Sequence, residues 1–413
     1  MNLLPLLLAA AAAAPAPRAL QEEADRRVKA VLPRIVEWRR DFHQHPELGN
    51  RETRTSARVA EHLRALGLEV QTGVARTGVV ALVRGGRPGP VVALRADMDG
   101  LPVTEETAVP FKSTVKTEWR GQQVGVMHAC GHDTHTAILM GVAEVLAGMK
   151  ERLPGTVKLI FQPAEEGPPP GEEGGAPLMT REGVLENPKV DAIFALHVWA
   201  PLQVGVIGWR PRGLLAASDM MEIRVRGRQT HGAMPWRGVD PVVAASHIVV
   251  ALQAIVSRQA EITRAPAVVT IGSIHGGNRH NIIPDEVLMA GTVRTFDPGM
   301  QRQIHEHIRR TVTSVAEAAG ATAEVTFTQP SPVTFNDPDL TARMEGTLRR
   351  VGGTRILPDM PPVTVSEDFA AFQQKVPGLY FFVGATPEGT DPATAEPNHS
   401  PRFFVDEGAL EVG

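Results

Sequence analysis

The sequence predicts an α/β fold: a discontinuous α/β domain interrupted by an inserted β-α-β-β-α-β domain. Three observations predict it. Apolar strand-like runs alternate with helical periodicity from Gly78 to Leu196, the pattern of a sheet with helices on its faces. Between Met220 and Thr328 the order becomes strand, helix, two strands, helix, strand, the split βαβ arrangement. Ser366–Lys375 (helix) and Leu379–Val383 (strand) then return to the first pattern. The boundaries follow: a first part at 20–212, an insert at 213–327 and a second part at 328–413.

Each element has its own signal. Residues 20–45 read as a helix, because Val28, Val31, Ile35, Trp38 and Phe42 step by three and four and so share one face. A second helix spans 51–66 and ends at Gly67. Gly78–Val83 and Val91–Ala96 are strands joined by a Gly/Pro turn at Gly85–Pro90. A helix follows at Thr134–Leu153, then apolar strands at Val157–Phe161 and Ala192–Leu196. Gly167–Gly175 (GPPPGEEGG) is a loop, since proline there continues neither helix nor ladder. In the insert, Met220–Arg226, Val268–Ile274, Val287–Phe296 and Ala323–Thr328 are strands, and Asp240–Arg258 and Pro298–Ala319 are helices.

The 413 residues carry a formal charge of −4, with 43% hydrophobic and 21% charged residues. That suits a globular chain with a sizeable core and gives no global basic field for nucleic acid. A single cysteine excludes an internal disulfide. It leaves a packed thiol, a reactive thiol or a metal ligand. Leu3–Ala14 is apolar, with no charged side chain before Arg18. It reads as a secretory signal peptide over residues 1–16, with an A-x-A pattern at Ala14 and Ala16. The run is short of the ~20 residues a spanning helix needs, and no other segment reads as a span. The mature protein is then periplasmic or secreted. The other reading is a disordered Ala-rich start on a cytoplasmic protein.

Three strand tips carry the chemistry. The strand at Val91 ends in Asp97 and Asp99, the strand at Val157 runs into Glu165-Glu166, and the strand at Ala192 ends at His197. Ligands bind open α/β sheets outside such carboxyl ends. MHACGHDTHT adds His128, Cys130, His132, Asp133 and His135. Thiolate, imidazole and carboxylate together suit Zn²⁺, and mixed sets also accept Mn²⁺ or Co²⁺. Taken singly, the C-x-H pair is as well explained by a packed cysteine and a capping histidine. Of two adjacent glutamates, one can bind metal while the other stays free as a base. A solvated acidic turn is the plain alternative. His399 in EPNHSP is a lone histidine, and His43, His45, His275 and His280 read as caps or packed side chains.

Nine ordered segments give a resemblance: RRDFHQHPELG, ALRADMDGLP, MHACGHDTHTA, FQPAEEG, ALHVW, HGAMP, NIIPDEVLMAGTVRTF, SEDFA and NHSPRF. From about Arg40 to Glu411 the chain resembles the amidohydrolase branch of the aminoacylase and carboxypeptidase-G superfamily of di-metal exopeptidases. Hippurate hydrolases, auxin-conjugate hydrolases and N-acetyl-diaminopimelate deacetylases are of this type. The resemblance implies a catalytic domain with a ferredoxin-like lid and dimerisation insert. It implies two divalent metal ions per subunit: Zn²⁺ or Mn²⁺, with Co²⁺ or Ni²⁺ as alternatives. Cys130 is similar to the bridging ligand, and His132, Glu166, His197 and His399 to the others. Glu165 resembles the general base. Asp97, Asp99, Glu367 and Asp368 match residues that orient the ligands. His231 matches a histidine that stabilises the oxyanion across a homodimer. Asn281 and Arg294 resemble the pair that holds a substrate carboxylate, for which a planar guanidinium is suited. Asn281 has a second reading, as an oxyanion donor.

Two departures accompany the match. GPPPGEE after Glu166 is a small insertion beside the site, and the chain stops at VDEGALEVG where those relatives continue into a final helix. The implied activity is hydrolysis of the amide bond of N-acyl amino acids or short peptides with a free carboxylate. The alternatives are a dipeptidase or carboxypeptidase on the same site, or a non-catalytic metal- or peptide-binding relative, which is expected to lack Glu165. A zinc deaminase needs P-C-x-x-C, which one cysteine cannot supply. A cysteine nucleophile crowded by carboxylates is a poor thiolate unless a metal holds it.

Overall fold

The computed structural model describes residues 17–413, apart from the side chains of Gln329 and Pro330. The signal-peptide reading of residues 1–16 lies outside the described residues. The chain forms two compact units. The first takes the residues up to Pro211, Asp337–Met360 and Val376–Gly413; the second takes Arg212–Asn336 and Pro361–Lys375.

The first unit opens with two helices, α1 (Arg18–Gln44) and α2 (Thr53–Ala65). The apolar stripe of α1 buries Val31, Ile35 and Phe42. Strands β1 (Glu69–Val74), β2 (Gly78–Arg84) and β3 (Arg87–Asp97) follow, then a hairpin of β4 (Lys116–Trp119) and β5 (Gln122–Gly125). Helix α3 (His132–Ala147) crosses α1 where Gly141 replaces a side chain: a Cβ there would lie 2.3 Å from Ile35 Cδ1. The predicted helix to Leu153 stops early, with Gly148 at its C-cap, and Lys150–Arg152 is a separate 3₁₀ turn. β6 (Pro154–Gln162), α4 (Gly175–Arg181), β7 (Ala192–Gln203) and β8 (Ile207–Trp209) complete this stretch. Phe42, Val59, Leu63, Val79, Leu139 and Phe161 form one buried cluster between helices and sheet. Each such side chain contributes about 1.5–3 kcal/mol relative to exposure.

The second unit begins with β9 (Arg212–Leu215) and β10 (Ala217–Arg226), then β11 (Thr230–His231). Helix α5 (Pro241–Arg258) is capped by Asp240, whose side chain accepts from Val242 and Val243 N. β12 (Ala267–Gly276), β13 (Ile282–Ile283), β14 (Glu286–Thr295), α6 (Pro298–Ala318), β15 (Thr322–Ser331) and β16 (Thr334–Asn336) follow. The four long strands make an antiparallel sheet in the order β12-β14-β10-β15. Both helices bury one stripe on it: Ala244, Ile248, Leu252 and Ile255 from α5, Met300, Ile304, Ile308 and Val312 from α6. By length and composition alone, α5 is long and apolar enough to cross a membrane, which corrects the reading that no segment beyond the N-terminus is. Its stripe is instead spent on the core of this unit.

The chain then adds α7 (Pro338–Gly352) and β17 (Ile356–Pro358) to the first unit. The predicted helix at Ser366–Lys375 is only the single turn α8 (Ala370–Gln373). β18 (Gly378–Thr386) and α9 (Gly408–Val412) close the first unit. Its eight-stranded mixed sheet runs β1-β2-β6-β3-β7-β18-β8-β17. The central strands β6, β3, β7 and β18 are parallel, so their carboxyl ends open on one edge, where the acidic and imidazole tips lie.

Candidate metal centre

The tips of β3, β6 and β7 and the loop before α3 converge in the first unit. β3 delivers Asp97 and leads to Asp99; both are fully buried. Arg95 Nη1 donates to Asp97 Oδ2 (2.6 Å), and His135 Nδ1 pairs with Asp97 Oδ1 (2.6 Å). His132 Nδ1 faces two oxygens of Asp99, the carbonyl at 2.9 Å and Oδ1 at 3.2 Å. Both are acceptors, so Nδ1 carries a proton and donates it, and Nε2 is the nitrogen turned toward the site. His132 Nε2 is buried with no hydrogen-bond partner. It lies 3.8 Å from Asp97 Oδ1 and 3.9 Å from Glu165 Oε2. His197 repeats the pattern: Nδ1 donates to Val198 O (2.6 Å), and Nε2 lies 3.3 Å from Cys130 Sγ.

Cys130 sits at the middle. His399 Nε2 approaches its Sγ at 3.2 Å and Glu166 Oε1 at 3.0 Å. Two sets of donor atoms, each within 4.8 Å of one another, share the thiol: Cys130, His132 and His197, and Cys130, Glu166 and His399. A third set joins His132 to Glu165 and Glu166. Of the predicted ligands, the structure brings all five together, with Glu165 beside them.

The charge balance asks for cations. Burial raises the Cys130 thiol pKa well above its ordinary value, and Glu166, Glu165 and Asp97 raise it further. Burial lowers His132, but Asp97, Asp99 and Glu166 outweigh it and carry it up to about 10. Burial holds His197 well below its usual range, with the neighbouring His135 adding to the effect. Inward-facing imidazole nitrogens, one of them without a hydrogen-bond partner, a thiol and grouped carboxylates are the donor set of divalent metal ions, with His132 and His197 each oriented by an oxygen behind the ring. The predicted ligands fit such ions.

The residues around these ligands have contacts that the sequence did not assign. His135 Nε2 accepts from Val198 N (2.9 Å), tying Asp97 to the strand that carries His197. Asn398 Nδ2 donates to Cys130 O and Val198 O, both at 3.2 Å, and its Oδ1 accepts from Ala200 N at 3.1 Å. Its position beside His399 was the available signal. His43, read as a cap or a packed side chain, is packed: it is buried between Asp133 Oδ2 (2.9 Å) and Glu105 Oε1 (3.1 Å). His128 is buried with both ring nitrogens unpartnered, and burial keeps its pKa down at about 4. His45 bonds Asp41 O (2.8 Å), as a helix-end side chain does. His275 and His280 are exposed rather than packed. The GPPPGEE loop is pinned by Glu172, which accepts from Asn50 Nδ2 (3.0 Å) and Arg51 Nη2 (2.5 Å). Its Pro169 and Pro170 help wall a cavity of about 390 Å³ with Leu48, Val115 and Trp119.

The remaining candidates lie in the second unit. His231 is exposed on β11, which pairs with β13, and Gly232 N donates to Asn281 O (2.8 Å). Ala233 N donates to His231 Nδ1 (3.0 Å), so the neutral ring carries its proton on Nε2. Asn281 Oδ1 is buried without a hydrogen-bond partner. Its chain enters β14 at the Glu286 end, whereas Arg294 is the last residue but one of that strand, roughly 26 Å further along. Arg294 bonds Thr292 Oγ1 and, at 3.3 Å, Val293 O. Glu367 is buried, and its Oε1 accepts from Phe369 N (3.1 Å).

Residues 93–413 match the model of peptidase family M20/M25/M40. The chain is 41% identical over 396 residues to thermostable carboxypeptidase 2 of Saccharolobus solfataricus, covering 95% of this chain and 96% of that protein. It is 38% identical over 385 residues to N-acetylcysteine deacetylase of Bacillus subtilis, covering 93% and 95%. Among solved structures it resembles the YXEP protein of Bacillus subtilis, described as a dinuclear metal-binding peptidase. The TM-score is 0.76 with 35% identity, covering 92% of this chain and 95% of that one. A family match running from the third strand to the last residue, with relatives near 40% identity on either side of the peptidase and amidohydrolase names, places this chain in peptidase family M20/M25/M40, in its amidohydrolase branch.

Proposed function

We propose that the protein hydrolyses the amide bond of N-acyl amino acids or short peptides with a free carboxylate, with two divalent metal ions per subunit. The observation that carries this reading is the thiol of Cys130, shared between a set with His132 and His197 and a set with Glu166 and His399. Those five residues would hold the ions, Zn²⁺ or Mn²⁺, with Co²⁺ or Ni²⁺ as alternatives. Bound there, the ions supply Lewis acidity toward the scissile carbonyl and a lowered pKa for water. Asp97 and Asp99 hold His135 and His132 in register; Glu367 is assigned the same kind of role. Glu165 takes the proton of the attacking water and delivers it to the departing amine. His231 of a partner subunit donates from Nε2 to the developing oxyanion. Asn281 and Arg294 grip the substrate carboxylate.

A homodimer supports that geometry. β12 is an edge strand with Val268 and Ile274 exposed, and α5 exposes Val242, Val243 and Val250. An open strand edge beside an apolar patch is a surface for a second copy. The mature chain is assigned to the periplasm or the exterior, on the apolar run Leu3–Ala14. Dipeptidase or carboxypeptidase action on the same site is the second reading, favoured by the carboxypeptidase name of the 41%-identical relative.

A panel of N-acetyl and N-benzoyl amino acids and dipeptides, with and without added Mn²⁺ or Zn²⁺, separates these readings. Glu165→Ala should lower kcat by ~10²-fold or more at unchanged metal content. Near-wild-type turnover in that variant removes the mechanism.

A further inference from the structure

Glu52 stands just before α2 and is completely buried. The mechanism above does not use it. Its side chain points to the turn that carries Glu165. Oε1 accepts from Ala164 N (2.8 Å), and Oε2 meets Thr77 Oγ1 (2.5 Å). Ala164 has a positive φ of 51°, a conformation a non-glycine residue keeps only when its surroundings over-determine it. Pro163 before it offers no N–H. Two residues on, Glu166 N donates to Asp99 Oδ2 (3.0 Å). Two carboxyl groups therefore hold the amides on either side of Glu165, one from the start of α2 and one from the tip of β3. We propose that Glu52 is a positioning residue, a clamp that fixes the strained Ala164 turn and so aims Glu165 and Glu166. This rests on the reading of Glu165 as the base.

The chemistry of the clamp is that of a neutral carboxyl. Burial, then the charge of Asp99, pushes the Glu52 pKa up to about 8. Its oxygens accept from Ala164 N and from Thr77 Oγ1. A glutamine keeps the acceptor for Ala164 N, and its Nε2 donates to the Thr77 hydroxyl oxygen at the same reach once that hydroxyl turns. Aspartate is one methylene too short, and alanine leaves a buried N–H without a partner, which is costly.

The experiment compares Glu52→Gln, Glu52→Asp and Glu52→Ala in the metal-loaded dimer, with Glu165→Ala alongside. Glu52→Asp and Glu52→Ala should lower kcat by roughly 10- to 100-fold, the scale of a misplaced reacting group. KM and metal content should stay near wild type. Glu52→Gln should keep kcat within about threefold. Hydrogen exchange on the metal-free chain gives a readout independent of turnover: the peptide across Pro163–Gly167 should exchange about tenfold faster in Glu52→Ala and Glu52→Asp, but not in Glu52→Gln. If Glu52→Ala does not fold, the aspartate and glutamine pair decides. Wild-type kcat and exchange in Glu52→Asp overturns the clamp, as does a Glu52→Gln enzyme as slow as Glu52→Asp. An active Glu165→Ala enzyme overturns the base reading and with it the catalytic meaning of the clamp, while the exchange data still report separately on the Ala164 contact.

Discussion

His43 has a carboxylate at each ring nitrogen, Asp133 at 2.9 Å and Glu105 at 3.1 Å. Both nitrogens can be satisfied as donors only by the imidazolium. Burial opposes the charge, and Arg39, paired to the same Asp133 at 2.9 Å, also opposes it. The charge and hydrogen bond of Asp133 and the bond to Glu105 win, so the His43 pKa is raised. The sign for stability follows. A histidine with a raised folded pKa contributes fully below its unfolded value, about 6.5, and loses that contribution as pH rises through the folded value. The thermal midpoint of the metal-loaded protein should therefore fall more steeply above about pH 6.5 in wild type than in His43→Gln. Parallel slopes would show that His43 is neutral in the fold. The sequence placed His43 near a helix end but could not supply its partners, which lie 62 and 90 residues away. The metal donors were legible because five of them occur within or beside short runs of chemically paired residues, MHACGHD, AEEG, ALHVW and NHSP. Glu52 was not, because a lone glutamate before a helix looks like a solvated cap until its oxygens are seen to reach Ala164 and Thr77.

Helix α3 shows how an element sets the site. It begins after Gly131, whose φ is +97° and whose absent Cβ would lie 2.3 Å from Val198 Cγ2. That glycine joins Cys130 to His132, and Val198 follows His197. Gly131→Ala adds left-handed strain of roughly 1–2 kcal/mol and a collision that parts the two ligand-bearing segments. The metal-free variant should melt at a lower temperature, and dialysis should strip metal from it faster. An unchanged midpoint and metal content would mean that the turn has room to spare. Elements with strong periodicity were legible: the predicted helix at 20–45 is Arg18–Gln44, and the predicted strand at Val157–Phe161 is Pro154–Gln162. Others had no pattern to read. β8 and β17 are three residues each, too short to show alternation, and β1 is an edge strand that is mostly exposed. Helix α7 did carry a signal, Asp337 as cap before Pro338, with Asp337 Oδ1 accepting from Leu340 N (2.7 Å). The run Ser366–Lys375 lacked a stop signal, yet it forms only one helical turn, where Glu367 Oε1 takes Phe369 N (3.1 Å).

At the scale of the whole molecule, the succession of long strands and helices in the second unit was readable because alternation and two amphipathic helices mark it, whereas the sheet order β12-β14-β10-β15 was not. Whether its copies pair was not, since exposure of Val250 at 73% and Trp236 at 77% depends on the folded surface. The proposed reaction makes that pairing a functional matter. His231 is exposed, and its Nδ1 is occupied by its own loop at Ala233 N (3.0 Å). Its Nε2 proton is therefore directed outward, as a donor for a neighbour. If that neighbour is the site of the partner subunit, Glu165→Ala and His231→Ala are complementary defects. Each homodimer should be nearly inactive, since loss of one oxyanion donor costs ~10²–10³ in kcat. Co-expressed, half of the dimers are mixed, and each mixed dimer holds one site with both Glu165 and the partner's His231 intact. The mixture should recover about a quarter of wild-type specific activity, as random pairing in a two-fold dimer requires. A site completed within one chain recovers nothing, because no subunit then carries both groups. Sedimentation of the same preparation checks that the dimer exists, so the recovered fraction reads the donor's origin directly.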